Sequence, residues 1–475
     1  MDLARHRVVL AGLGVSGRAA LEVLTAAGAH VVTVDRNAPD ADAADSAAFV
    51  GGGGLDGVDL VVASPGWPPS DPLLAGALER GVPVWSEVEL AWQLRVDRAA
   101  GGGPAPWLAV TGTNGKTTTV GMLASILRAG GEHAAAVGNV GTPVVLAATD
   151  PSLDVLAVEL SSFQLHFTHS MSAQAAAVLN VAEDHLDWHG SLDAYAADKG
   201  RVYERTQVAC VYSAHDPRTE DLVREADVED GAVAVGFTLG TPRVGQVGVV
   251  EHVLVDRGFA ALRHTHAAEL GTLEDLAHLA GPDGAVPPHV VQDALAAAAL
   301  ALAHGVAPVA VRDGLRAYAP GGHRIERVAE ADGIAWVDDS KATNPHAAAA
   351  ALASFEAGSV VWIAGGLAKG ATFDELVRTR RDRLRGVVLI GVDQQPLRDA
   401  LDRHAPEVPV VAVDPGDTGS VMTRAVDSAR ALARTQTPAT VLLAPACASM
   451  DQFTSYAERG DAFAAAVRAL APDES

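Results

Sequence analysis

Short apolar runs closed by glycine or polar residues alternate along the chain with longer amphipathic or alanine-rich stretches. Residues 7–12 (RVVLAG) predict a buried strand, then a glycine-rich turn and a helix from about Arg18 to Ala27. HVVTVD, ending at Asp35, DLVVASPG (59–66) and GVPVWSE (81–87) predict three further strands. Strands alternating with helices through short links indicate a parallel, doubly wound sheet. AAGGGPAP (99–106) breaks both periodicities and reads as a linker. WLAVTGTNGKTTT then opens a second α/β unit with a helix through Arg128, strands at 154–162 and 174–181, and an Ala-rich helix from Val290 to His304. YAPGGHR (318–324) is the next boundary, and IAWVDDS, a helix after Pro345, VVWIAGG, GVVLIGV, VPVVAVD, a helix and VLLAPAC follow. The prediction is an α/β protein of three domains, 1–100, 101–319 and 320–475. The Gly51–Gly54 run is expected to be a loop, 240–288 has no evident role, and no solenoid period appears.

Composition narrows the class. A chain of 475 residues has room for two to four domains, each with its own core. With 59 acidic against 35 basic residues the net charge is −24, which speaks against binding nucleic acid phosphates. Two distant cysteines, Cys210 and Cys447, argue against a disulfide framework and against a cysteine zinc site. No apolar stretch nears the ~20 residues of a membrane span, and the N-terminus lacks a signal-peptide layout. A cytoplasmic protein is expected, with small-molecule partners and no nucleic acid or membrane. Four lysines remain among the 35 basic residues: Lys116, Lys199, Lys341 and Lys369. A chain that uses arginine for its generic cations invites a chemical reason for each surviving primary amine.

The first unit carries G-L-G-V-S-G, with Gly12, Gly14 and Gly17 between strand and helix and Asp35 ending the next strand. Such a loop lets backbone approach a diphosphate at a helix N-terminus, and the acid can accept ribose hydroxyls. The pattern indicates a nucleotide diphosphate without saying whether a nicotinamide is attached. The second unit carries T-G-T-N-G-K-T-T, a relative of the P-loop with two residues rather than four between its glycines. Its amides can form an anion nest, Lys116 can reach phosphates and Thr117 can ligate Mg2+. Glu159 ends an apolar strand in E-L-S-S-F-Q, and Asn180, Asp184 and His185 close the next in N-V-A-E-D-H-L-D. Carboxylate and hydroxyl oxygens suit magnesium on nucleotide phosphates. His169, His189 and His215 read as packed or surface residues, and His185 stands above them only through its neighbours. Lys199 falls on a predicted helix, where a surface ion pair with Asp198 or Glu204 is the plain alternative to a chemical role.

The third unit holds G-G-H-R (321–324), D-D-S-K-A-T-N (338–344), A-G-G-L-A-K-G (364–370) and A-P-A-C-A-S-M-D-Q-F (444–453). Arg324 and Lys341 suit a transferring phosphoryl group, and Lys369 and Ser449 a small anion. Cys447 has no histidine in its local motif and reads as a small buried residue rather than a nucleophile.

Taken in order from Gly12 to Gly460, these motifs, with S-P-G (64–66), G-N-V-G (138–141) and the closing R-G (459–460), resemble the Mur ligases of peptidoglycan synthesis, relatives of folylpolyglutamate synthetase. The glycine-rich start and the tail motif most resemble the D-glutamate-adding member. The resemblance implies a Rossmann-like first domain for the UDP of the substrate, a central P-loop-type ATPase domain and a Rossmann-like C-terminal domain. The first would use Val15, Ser16, Asp35, Arg36, Ser64 and Gly66, and no NAD. ATP would lie on Gly112, Thr113, Asn114, Gly115, Lys116, Thr117 and Thr118, with Arg324, Asp339 and Asn344 from the last domain. Thr117 and Glu159 would hold one Mg2+, and His185 and Lys199 a second, with Lys199 carbamylated. Asn139 and Ser161 match positions near the muramoyl-alanine and metal, and Thr343, Lys369, Ser449, Met450 and Tyr456 the D-glutamate site. The implied catalytic set is Lys116, His185, Lys199, Arg324 and Lys341. The implied reaction joins D-glutamate to UDP-N-acetylmuramoyl-L-alanine through an acyl phosphate, in a monomer whose domains close over ATP to exclude water.

Two departures from the family pattern stand out. Val290 follows His289 where the family usually has asparagine, leaving His289 or Gln292 to compensate, and Arg36 follows Asp35 directly where an intervening residue is common. The alternatives are a sister ligase for another amino acid, a folylpolyglutamate synthetase, a nicotinamide dehydrogenase, and a nucleotide-binding protein without catalysis. The folate enzyme lacks a UDP domain. A dehydrogenase leaves the P-loop and all four lysines unexplained, and a binding protein does not need Lys199 with His185.

Overall fold

The computed structural model describes residues 3–281, 284–323, 325–416 and 418–470. Three sheets form. The first contains β1 (Arg7–Ala11), β2 (His30–Val34), β3 (Leu60–Ala63) and β4 (Val84–Ser86) in the order β2-β1-β3-β4, all parallel. Its strands read as unbroken apolar runs because helices cover both faces of a parallel sheet. The order reverses at β1, which opens a crevice at the carboxyl end of that strand, where the glycine-rich loop lies.

Around this first sheet a helix and a strand differ from their sequence readings. The helix after β1 starts at Val15, three residues before the expected Arg18, and runs to Ala26. Gly17 is inside its first turn, where a Cβ would lie 1.9 Å from the Gly12 carbonyl oxygen, so the close approach of loop and helix requires a glycine. The expected strand 81–87 contracts to Val84–Ser86, because the Ser86 hydroxyl accepts the Glu89 amide at 3.2 Å and starts the helix Glu87–Gln93.

The second sheet contains β5 (Trp107–Thr111), β6 (Ala134–Gly138), β7 (Val155–Glu159), β8 (Ala175–Val178), β9 (Ala209–Ser213), β10 (Val233–Phe237), β11 (Gln246–Val250), β12 (Val253–Asp256) and β13 (Ala268–Thr272). Their order is β13-β12-β11-β10-β9-β8-β5-β7-β6, parallel from β6 to β11 and antiparallel from β11 to β13. The unexplained stretch 240–288 thus contributes three strands to one edge. Buried Asp275 secures it, accepting the Thr272 amide at 2.7 Å and pairing with Arg316.

The third sheet orders β14 (Glu326–Ala331), β15 (Ile334–Asp338), β16 (Val360–Gly365), β17 (Leu384–Ile390), β18 (Val410–Ala412) and β19 (Ala439–Leu443) as β14-β15-β19-β16-β17-β18, with only the β14–β15 pair antiparallel. Period-two alternation sends Val337, Val360 and Trp362 into one core layer and Trp336, Val361 and Ile363 into the other. The chain divides into two compact units, one of residues 1–181, 193–278 and 290–318, the other of 182–192, 279–289 and 319–475. Among the described residues no helix is long and apolar enough to cross a membrane.

Candidate active site

In the first sheet the predicted UDP residues gather around the loop after β1. Asp35 holds that loop, its Oδ2 accepting the Leu13 amide at 2.7 Å while Oδ1 accepts the Asn37 amide at 2.8 Å. Ser64 Oγ donates to the Gly12 carbonyl at 3.0 Å. Val15, at the start of the helix, is 78 % exposed, so its apolar side chain lies outside the core. Arg36 is exposed, and Gly66 takes a left-handed φ of 95° in the turn after Ser64.

The second loop is the better-built site. It joins β5 to the helix Lys116–Ala129, so a helix N-terminus and its amides point into the crevice where strand order reverses between β5 and β8. Gly115 caps the helix at φ 83°, and a Cβ there would lie 2.2 Å from Oδ1 of Asp293. Asn180 clamps the loop from β8: its carbonyl accepts the Thr113 amide at 3.0 Å, its Oδ1 the Asn114 amide at 2.9 Å, and its Nδ2 donates to the Asn114 carbonyl at 3.2 Å. Lys116 folds back, its Nζ donating to the Gly112 and Thr113 carbonyls at 2.8 and 2.9 Å. Thr118 is buried in the first helical turn, and Thr117 is half-buried beside it.

Beside β5, Glu159 ends β7. Its Oε1 accepts Asn139 Nδ2 at 3.1 Å, while its buried Oε2 meets no hydrogen-bond donor. A buried carboxylate oxygen left unpaired costs about 1–3 kcal/mol, which a cation would relieve. Among the described residues no three His, Cys, Asp or Glu side chains cluster as a protein-only metal site. One carboxylate, the Thr117 hydroxyl and nucleotide phosphates form a donor set that fits Mg2+, an ion that keeps most of its shell for phosphate and water. Ser161 caps the next helix, Ser162–His166, in a reciprocal box with Gln164.

Lys199 corrects the surface ion-pair alternative. It lies on the helix Leu192–Gly200, is 1 % exposed, donates from Nζ to the Gly112 carbonyl at 2.9 Å, and sits 4.3 Å over the Tyr195 ring. Its neighbour Asp198 pairs with His166 at 2.9 Å instead. His185 lies in the second unit, at a left-handed φ of 55° with Nε2 3.6 Å from Asp184.

In that second unit the third-sheet motifs converge. Asn344 caps the helix Pro345–Ala353, its Oδ1 accepting the Ala347 amide at 2.9 Å and its Nδ2 reaching Asp184 at 3.4 Å. Asp339 is buried, Thr343 half-buried, and Lys341 Nζ lies 3.3 Å from the Tyr456 hydroxyl. The Leu367 and Ala448 backbones exchange hydrogen bonds of 2.9 and 3.0 Å, which sets the Lys369 and Ser449 loops side by side. Ser449 is buried and Met450 is 72 % exposed. Burial pushes the Cys447 thiol up to about 12, which leaves it inert. Arg324 lies outside the described residues.

Three residues were missed as site members. Asn180 was visible only as a strand-end amide, and its clamp on the loop depends on neighbouring strands. Asp293 sits against Gly115 and had no signal of its own along the chain. Arg459, 1 % exposed, donates to Ser340 Oγ at 3.0 Å, the Ser340 carbonyl at 2.8 Å and the Cys447 carbonyl at 3.1 Å, tying two motif loops together. Its place in the tail motif was its one signal.

A glycine-rich loop with a lysine at a helix N-terminus, beside an acid with one open oxygen at the adjacent strand end, marks the class of nucleotide-dependent α/β proteins. Residues 110–301 match the Mur ligase middle domain and 323–447 the Mur ligase glutamate ligase domain. The chain is 58 % identical over 481 residues to UDP-N-acetylmuramoylalanine–D-glutamate ligase of Streptomyces coelicolor, covering 99 % of both. The ligase of the same name from Thermobifida fusca is 52 % identical, over 99 % of this chain and 100 % of its own. Among solved structures, a pseudomurein peptide ligase type C from Methanothermus fervidus matches with TM-score 0.59 at 16 % identity, over 98 % of this chain and all of that one. The chain belongs to the Mur ligase family, whose members use ATP and Mg2+.

Proposed function

We infer that this chain is an ATP-dependent ligase that joins D-glutamate to UDP-N-acetylmuramoyl-L-alanine in cytoplasmic peptidoglycan precursor synthesis, and so serves cell-wall growth, shape and division. The observation that carries the catalytic reading is the open Glu159 oxygen at a strand end adjacent to the Lys116 loop. D-glutamate as the added amino acid rests on full-length similarity to relatives of that name. In this reading the first domain, 1–100, binds the UDP moiety, 101–319 binds ATP, and 320–475 brings D-glutamate.

The alanine carboxylate takes the terminal phosphoryl group of ATP, ADP departs, and an acyl phosphate forms. The D-glutamate amine then attacks the acyl carbon, and phosphate leaves from the tetrahedral intermediate. Both steps bring anions together, so the demand on the protein is charge neutralisation and alignment. Thr117 and Glu159 would hold a Mg2+ ion, which would supply neutralisation of phosphate charge there. Lys116 exchanges its loop carbonyls for phosphate, and Arg324, Lys341, Asp339 and Asn344 serve the phosphoryl group and nucleotide from the C-terminal domain. Lys199 as a carbamate would keep one N–H, enough to retain its bond to the Gly112 carbonyl, and its new carboxylate would be a ligand for a second Mg2+, as would His185. Thr343, Lys369, Ser449, Met450 and Tyr456 receive D-glutamate, and Asn139 and Ser161 the muramoyl-alanine.

The test is phosphate release from ATP and Mg2+ with UDP-N-acetylmuramoyl-L-alanine and either D-glutamate, L-glutamate or meso-diaminopimelate. Release that requires D-glutamate supports the reading. Release with another amino acid reassigns the specificity, and none with any of them refutes catalysis.

A further inference from the structure

The end of the second sheet away from the nucleotide loop carries a cavity of about 310 Å3, within the first compact unit. Trp107 opens β5, Gln174 precedes β8 and Gln207 lies just before β9, so part of its lining is the amino ends of three parallel strands. The Lys116 loop follows the carboxyl end of β5, about 13 Å further along that strand. The rest of the lining includes Trp92, Arg95 and Arg98, where the helix Glu87–Gln93 passes into the linker toward β5. That helix is fastened at its start, where buried Glu87 accepts Gln164 Nε2 at 2.8 Å and Glu89 accepts the His169 and Ser170 amides at 2.8 and 2.9 Å.

Donors on this cavity outnumber their partners. The Arg95 guanidinium lies over the Trp92 ring, 3.0 Å from its centroid, and its Nε donates to the Trp92 carbonyl at 2.7 Å. Among the described residues no acceptor meets its terminal nitrogens and no carboxylate comes within ion-pair distance. Burial lowers this guanidinium to about 10, opposed only by the field of Glu89, whose oxygens are taken by Gln93, Ser170 and His169. Arg98 donates from Nε and Nη2 to the Gly103 and Gly102 carbonyls at 3.2 and 3.1 Å, which leaves Nη1, likewise without an acid. Trp107 is 1 % exposed and its indole Nε1 has no acceptor. Gln174 accepts from His304 on Oε1 at 2.6 Å, and its Nε2 meets no acceptor. No lining residue is acidic, in a chain of 59 acids. A half-buried cation without a counter-ion carries a desolvation cost that an anion would offset.

We propose that this cavity is a further ligand site, separate from the substrate crevices, for a small organic anion whose carboxylate or phosphate head is held by Arg95 and Arg98. A guanidinium fork matches the oxygens of either head group bidentately. The cavity is larger than an inorganic ion fills, and tryptophan and proline side chains line the remainder, so the ligand carries an apolar body. Bound there, it ties the linker to the amino ends of β5, β8 and β9 and stays clear of the reacting groups at the carboxyl ends.

The experiment is calorimetric titration of the full chain with phenyl phosphate, benzoate, inorganic phosphate and benzyl alcohol, first alone and then with ADP, Mg2+ and UDP at saturation. Phenyl phosphate or benzoate is expected to bind a single site per chain, and the tighter of the two names the head group. Inorganic phosphate is expected to bind about tenfold more weakly for want of an apolar body, and benzyl alcohol not to bind. R95Q and R98Q are each expected to weaken the aromatic anion about tenfold or more, because each removes a charged donor. Both variants should keep kcat and ATP KM within about twofold of wild type. The site is overturned if wild type binds neither aromatic anion, if benzyl alcohol binds as well as they do, or if R95Q and R98Q retain wild-type affinity. An affinity that collapses when ADP and UDP are added also overturns it, since the probe then occupied a crevice already described. Should R95Q fail to fold, R98Q alone decides.

Discussion

Replacing Gly115 by alanine tests the nucleotide loop more sharply than removing any charged side chain. The residue holds φ at 83°, a region that costs an L-residue about 1–2 kcal/mol. The new methyl carbon would also lie 2.2 Å from Asp293 Oδ1, more than 1 Å inside ordinary contact. Asp293 is buried on the helix Pro288–His304, so neither partner moves without cost. Strain plus displacement predicts a stability loss of about 2–4 kcal/mol. A loop shifted by about 1 Å predicts a loss near 100-fold in kcat/KM for ATP. Calorimetric ATP binding, thermal melting and steady-state kinetics on G115A, D293A and the double variant close a thermodynamic cycle. Because D293A removes the clashing carboxylate, the double variant should recover about 1–2 kcal/mol of the sum of the single effects. G115A melting and binding ATP like wild type, or strictly additive effects, would refute the contact as the source of the loop's geometry.

Glu159→Gln should raise the Mg2+ concentration for half-maximal activity by at least about tenfold while the melting temperature stays level or rises, because the variant replaces a buried, half-paired anion with a neutral amide; a Mg2+ titration with parallel melting checks both. Arg459→Ala leaves the Ser340 and Cys447 carbonyls without their donor and should cost about 2–4 kcal/mol in denaturant unfolding, with D-glutamate KM raised; a melting temperature equal to wild type contradicts it. Glu87 binds its proton more tightly folded, near 7, than unfolded, near 4.5, so its ionisation costs stability progressively as pH rises between those values, up to about 3 kcal/mol above them. Relative to E87Q, wild type should therefore lose stability from about pH 5 to pH 8, and parallel curves for the two proteins would contradict the burial argument.

Local chemistry carried much of this protein into view. The strands are short apolar runs that depend little on their partners, so β1, β5, β7, β8, β15 and β16 fall inside their expected segments. The G-L-G-V-S-G and T-G-T-N-G-K-T-T loops were legible because glycine, lysine and threonine at fixed spacing between strand and helix satisfy a geometric need that few other patterns meet. The scarcity of lysine singled out Lys199 before any contact was known.

Tertiary structure decided what those residues face. Lys199 reads as a surface cation or a buried amine with equal ease along the chain, and only packing against Tyr195 and the Gly112 carbonyl makes it the second. Asp293 and Glu87 carry no local signal, since their roles arise from contacts with Gly115 and Gln164, 178 and 77 positions away. Residues 246–272 alternate too weakly to declare themselves as strands, and become so because β10 offers an open edge whose amides and carbonyls need partners. Periodicity and loop chemistry are properties of neighbours in sequence and survive in the unfolded chain. Burial, the pairing of strand edges and the partner of a carboxylate exist only once distant segments meet.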